Sequence, residues 1–107
     1  MNENEHLLGL INKDLGSLED SVMIPAGSGI DRHIIREKLA FLIAHLMETN
    51  FERLCQAMYR LDVSEARFDQ AMNENPPAEI PFAIADLVIE REMQKVRTRI
   101  MYKRGEL

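Results

Sequence analysis

His33 and Glu37 stand four residues apart, and His45 and Glu48 stand three apart further along the same stretch. On a helix each pair would present an imidazole and a carboxylate on one face. Those are zinc-type ligands, and a dinuclear centre would need further carboxylates such as Glu52 or Asp86. No second histidine-bearing segment repeats the spacing, so solvated or half-buried side chains are expected and no metal is assigned. Cys55 is the one cysteine. It lies beside Leu54 and Met58 on a face patterned for burial, with no base placed near it, and is read as a small hydrophobe rather than a nucleophile. Gly27-Ser28-Gly29 precedes a helix but lacks the strand and the lysine that a phosphate loop requires. No catalytic residue and no cofactor are therefore expected.

The run Leu61-Asp62-Val63-Ser64-Glu65-Ala66-Arg67-Phe68-Asp69-Gln70-Ala71 pairs a tight turn with apolar residues on either side, Met58 and Leu61 before it and Val63, Phe68 and Ala71 after. It resembles the helix-turn-helix pattern of DNA-binding proteins over about twenty residues. The resemblance implies that Arg67 and Gln70 would face the nucleic acid. The run departs from the pattern in having Asp62 where the turn usually has glycine. Its second helix also carries Glu65, Asp69 and Glu74 against the single cation Arg67, and phosphate binding depends on lysine and arginine. Structural packing is the preferred reading of this corner.

Charge is unevenly spread. The chain's net charge is −5, yet residues 90–104 carry Arg91, Lys95, Arg97, Arg99, Lys103 and Arg104 against Glu90 and Glu92. Cations gather near a helix C-terminus because the dipole favours them. They also suit a nucleic acid, to which Lys95, Arg99, Lys103 and Arg104 would add contacts. A third reading fits this chain best: the basic end of one subunit meets the acidic body of another. Met93, Val96, Ile100 and Met101, with Arg97, would form the seam of a homodimer, since they would otherwise be left exposed. The expected function is thus a non-enzymatic helical protein-interaction module that self-associates through its C-terminal helix, with an unidentified protein partner also open. A small nucleic-acid-binding regulator is the alternative.

The elements that position these residues follow from periodicity. At 107 residues the chain suits one domain. Aliphatic residues and methionine dominate, tryptophan is absent and β-branched runs are scarce, which favours helix. Leu8, Ile11, Leu15, Leu18 and Val22 predict an amphipathic helix from about His6 to Ser21, followed by a breaker-rich connection to residue 30. Residues 31–72 form a central unit of three helices. The first carries Ile35, Leu39, Leu42 and Leu46 and is capped by Ser28 or Asp31. The second begins at a capping box, Thr49 to Glu52, and turns Phe51, Leu54, Met58 and Leu61 inward. The third is capped near Ser64 and faces Phe68, Ala71 and Met72 inward. A Pro-rich linker over 73–80 precedes a long last helix from Pro81 to about Lys103, its first half in the core and its second half projecting. Its seam runs through Phe82, Ala85, Ile89, Val96 and Lys103. The fold class is all-α, a compact single-domain bundle of four to five helices with a long C-terminal helix. No apolar run approaches a membrane span, and the N-terminus is acidic where a signal peptide is basic, so a soluble, cytoplasmic protein is expected.

Overall fold

The computed structural model describes residues 3–15, 31–103 and 105. Among them are five helices and no strand: α1 (Glu3–Leu15), α2 (Arg32–Thr49), α3 (Phe51–Arg60), α4 (Glu65–Glu74) and α5 (Ile80–Lys103). The all-α bundle with a long C-terminal helix is as the periodicity predicts. Leu18, Val22, the cap candidate Ser28 and the connection around Pro25 to Gly29 lie outside the described residues. No helix among those described is long and apolar enough to cross a membrane.

Short polar side chains set the helix starts. Asp31 Oδ1 accepts from the Ile34 amide at 2.9 Å and caps α2, while the Ser64 hydroxyl accepts from the Arg67 amide at 3.3 Å and caps α4. These bonds satisfy amides that have no partner inside the first turn. Between α2 and α3 the expected capping box is displaced by one residue. Asn50, not Thr49, is the cap, its side chain accepting from the Arg53 amide at 3.2 Å. Thr49 remains helical, and its hydroxyl donates back to the His45 carbonyl at 2.7 Å, a bond that Ser and Thr make inside helices. Glu52 therefore falls one position short of the reciprocal place in a box.

The corner between α3 and α4 is closed by backbone bonds. The Val63 amide donates to the Met58 carbonyl at 3.0 Å and the Asp62 amide to the Tyr59 carbonyl at 3.1 Å, which is the Schellman arrangement of a helix end. It requires a left-handed residue, and Asp62 takes that conformation with φ 62°. The aspartate thus does in this turn what glycine usually does. Beyond α4, Asn75 Nδ2 donates to the Ala71 carbonyl at 2.9 Å, and the Glu79 amide to the Pro76 carbonyl at 2.8 Å. The break is a tight turn over 75–79: α4 runs two residues past the predicted Met72, and Pro81 falls in the first turn of α5.

Packing converges on α5. Ile80, Ile84, Ala85, Val88, Ile89, Met93 and Val96 are buried along it, and α2, α1 and α4 all pack against it. α2 contributes Ile35, Leu39, Leu42, Ile43 and Leu46; α1 contributes Leu7, Leu8, Leu10, Ile11 and Leu15. Two expectations are corrected here. Phe51, predicted to face inward, is 41% exposed, because α3 buries Leu54, Ala57 and Met58 and turns its first residue toward α4. Lys103, placed on the buried seam, is exposed in the last turn of α5, where the stripe has already ended.

Asp62→Gly removes the left-handed strain and is expected to raise unfolding stability by about 0.5–1 kcal/mol, whereas Asp62→Val should lower it by at least about 1 kcal/mol. Urea unfolding of both variants checks the order, and a destabilised glycine variant would contradict this account of the corner.

Candidate functional site

The start of the second half of α5, from Glu92 to Val96, is covered on one face within the subunit. Met93 is 3% and Val96 2% exposed within the single chain, so neither forms an open seam, contrary to the expectation. α1 is the reason. It packs along this part of α5 and is pinned there by Arg97 Nε to Glu3 Oε1 at 3.9 Å and Lys95 Nζ to Asp14 Oδ2 at 3.7 Å. Of the predicted seam, Arg97 and Met101 are exposed and Ile100 is half-buried. What α5 does present is its last turns, with Tyr102 75% exposed among Arg99, Met101 and Lys103.

The residues named for nucleic acid do not converge. Arg67 gives both guanidinium ends to Glu90, Nη1 to Oε1 and Nη2 to Oε2, each at 2.8 Å. Those bonds hold the Glu90 carboxyl below its usual range. Gln70 Nε2 donates to Glu74 Oε2 at 2.9 Å, and Lys95 is turned inward between Asp14 and Glu92. Arg99 and Lys103 are exposed at the far end of α5; the Arg104 side chain lies outside the described residues. As for the candidate metal ligands, His33 Nε2 sits 3.1 Å from Glu37 Oε1 on the surface, and Asp86 is held by Arg36 at 2.7 Å. Among the described residues no group of three or more ligand-type side chains comes together.

Two features arise from the packing instead. The first is a groove between α3 and α4 of about 830 Å³. Cys55, Met58, Val63, Phe68 and Met72 make its apolar surface. Phe51 and Phe68 bridge the two helices with ring centroids 6.4 Å apart and planes tilted by 39°, within the range in which aromatic pairs attract. Tyr59 stands at the groove 81% exposed. Asp62, Glu65 and Asp69 supply its charge, and no lysine or arginine among the described residues lines it. The only cation on α4, Arg67, is committed to Glu90 on the other side. An apolar floor under an acidic rim is the result.

The second feature is Glu92, which is fully buried beneath α1 and escaped notice in the sequence because it reads there as one charge in a basic stretch. Neither of its carboxyl oxygens has a hydrogen-bond partner among the described residues. Lys95 Nζ approaches Oε2 only to 3.6 Å. Burial first, and the Asp14 carboxyl second, push Glu92 up to about 7, while Lys95 pulls the other way. A buried carboxyl with another acid beside it favours its protonated form. The sign follows: the folded state binds this proton more tightly than the unfolded state, so its stabilising contribution is complete below pH 4.5 and is lost as pH rises toward 7. At about 1.4 kcal/mol per tenfold in proton affinity, roughly 3 kcal/mol is involved.

Comparison with protein-family models, with curated proteins and with solved structures finds no match to this chain.

Glu92→Gln keeps the shape and removes the titration. It is expected to melt higher than the parent at pH 8 and close to it at pH 5, flattening the decline between them. Thermal unfolding across that range is the measurement, and parallel curves for the two proteins would contradict the assigned role of Glu92.

Proposed function

We propose that this protein is a non-enzymatic interaction module that receives, in the groove between α3 and α4, one face of a partner helix bearing apolar residues with basic flanks. The observation that carries this reading is the groove itself: Phe51 and Tyr59 are exposed at a site floored by Met58, Phe68 and Met72 and rimmed by Asp62, Glu65 and Asp69. An apolar groove between two helices suits the apolar face of a third. The methionines can adjust to the residues presented. Carboxylates at the rim steer and orient a cationic partner more than they add affinity. Each wall is a ten-residue helix about 15 Å long, which matches roughly three turns of a docked helix.

Catalysis at the groove finds little support. The Ser64 oxygen is engaged in capping α4, and no histidine or lysine among the described residues lines the groove to activate Cys55. Nucleic acid at the same corner is disfavoured by the acids on α4 and by the pairing of Arg67 with Glu90.

A labelled amphipathic helix of leucine and lysine serves as probe, with a leucine and glutamate helix of the same pattern as its counterpart. At moderate salt the basic probe is expected to bind and the acidic one not. The double variant Glu65→Lys, Asp69→Lys should weaken the basic probe by roughly tenfold, or about 1.4 kcal/mol, while Glu48→Lys on the exposed side of α2 leaves it nearly unchanged. Glu48→Lys changes the net charge half as much as the double variant, so a loss of about threefold in it, half of the double variant's effect in free energy, would mean that overall charge, not the groove, attracts the probe, and the proposal would fall.

A further inference from the structure

We propose that the occupant of the groove is the basic end of α5 from a second copy of this chain, exchanged reciprocally in a two-fold dimer. This rests on the preceding reading of the groove and names its partner. The last turns of α5 carry what the groove lacks. Met101 is 38% and Tyr102 75% exposed, and Arg97, Arg99 and Lys103 are exposed around them. The groove offers Phe51, Tyr59 and Met72 with Glu65 and Asp69, and with Asp62, whose carboxylate Arg91 already approaches. Aromatic and methionine side chains face their like, and cations face carboxylates.

A chain cannot fill its own groove this way. Arg91 fixes the level of the corner on α5, with Nε donating to the Leu61 carbonyl at 3.2 Å and Nη2 lying 3.6 Å from Asp62 Oδ2. From there α5 runs on as one unbroken helix to Lys103, carrying its end about 18 Å past the corner at 1.5 Å per residue. Folding back would break that helix. A second copy has no such restriction, and two copies related by a two-fold axis each supply a tail and a groove, so that both surfaces are satisfied in one closed assembly. The buried seam of Met93 and Val96 takes no part. It serves to anchor α5 under α1 so that the tail is held out rigidly, with little ordering left to be done on docking.

The test uses the whole chain and two charge-reversed variants. One has the groove reversed, Glu65→Lys with Asp69→Lys; the other has the tail reversed, Arg99→Glu with Lys103→Glu. Light scattering on the parent protein should give the dimer mass, and each variant alone should give the monomer mass, because each then sets like charges against each other. Mixing the two variants should restore a dimer, since one tail–groove pair is then native and the other is fully swapped. Circular dichroism on each variant confirms that it is folded. A monomeric parent at about 0.5 mM, a concentration that exposes even weak association, would overturn the inference, as would variants that still dimerise or a mixture that stays monomeric. Should the parent be monomeric while the leucine and lysine probe still binds the groove, the exchange is wrong and the interaction module stands. Should the probe fail as well, both are wrong.

Discussion

Burial of a single stripe along α5, from Ile80 through Val96, is the interaction from which the remaining contacts follow. Three helices, α1, α2 and α4, pack against that stripe. α3 and α4, at ten residues each, are shorter than an isolated helix that persists in water. They depend on α2 and α5 for their stability. Their angle to each other is left to the corner at Asp62, and that corner leaves a groove instead of a closed seam. The fold thus leaves its apolar opening at the two shortest helices, where caps and a left-handed aspartate, not a deep core, decide the geometry.

Arginines fix how the helices sit on the stripe. Arg36 on α2 reaches Asp86 on α5 at 2.7 Å and lies 4.9 Å over the Phe82 ring; Arg67 on α4 reaches Glu90, and Arg91 on α5 reaches back to the corner. These are surface contacts of modest strength. Their effect is on register and on where charge is left over. Each one consumes a cation near the middle of the molecule. Carboxylates therefore remain at the groove and cations at the tail, although neither the composition nor the order of residues would by itself separate them in space.

Features decided within a few residues of sequence were legible. The cap at Ser64, the cap at Asp31 as one of two candidates, the break at the paired prolines and the length of α5 all depend on local chemistry, and the sequence predicts them. The slip at Thr49 came from the same kind of rule: Thr49 and Asn50 can both cap, and the choice rests on which one leaves the helix first. Features that depend on how distant helices meet were not legible. The second half of α5 looks thinly apolar because Glu92 and Lys95 interrupt it. Only the docking of α1 reveals that Met93 and Val96 are internal. Phe51 fits the inward face by spacing, and only the angle between α3 and α4 leaves it beside Phe68 at an open groove.

Acidic residues in this chain serve two opposed purposes, and solvent access decides which. Glu92 lies under α1 with no hydrogen-bond partner among the described residues and only Lys95 nearby to favour its charge, so burial and the Asp14 carboxyl tip it toward the neutral acid. Asp62, Glu65 and Asp69 are in water at the groove, where a carboxylate keeps its hydration and its field acts over about 8 Å at physiological salt. An acid of the first kind is tolerated under α1 while protonated and costs stability as it ionises; acids of the second kind discourage the groove from closing on itself or on another acidic surface. The same residue type is therefore neutralised at one helix contact and stays charged at another. That contrast, more than the net charge of the chain, explains why a protein rich in apolar side chains retains an acidic recess with aromatic rings exposed in it.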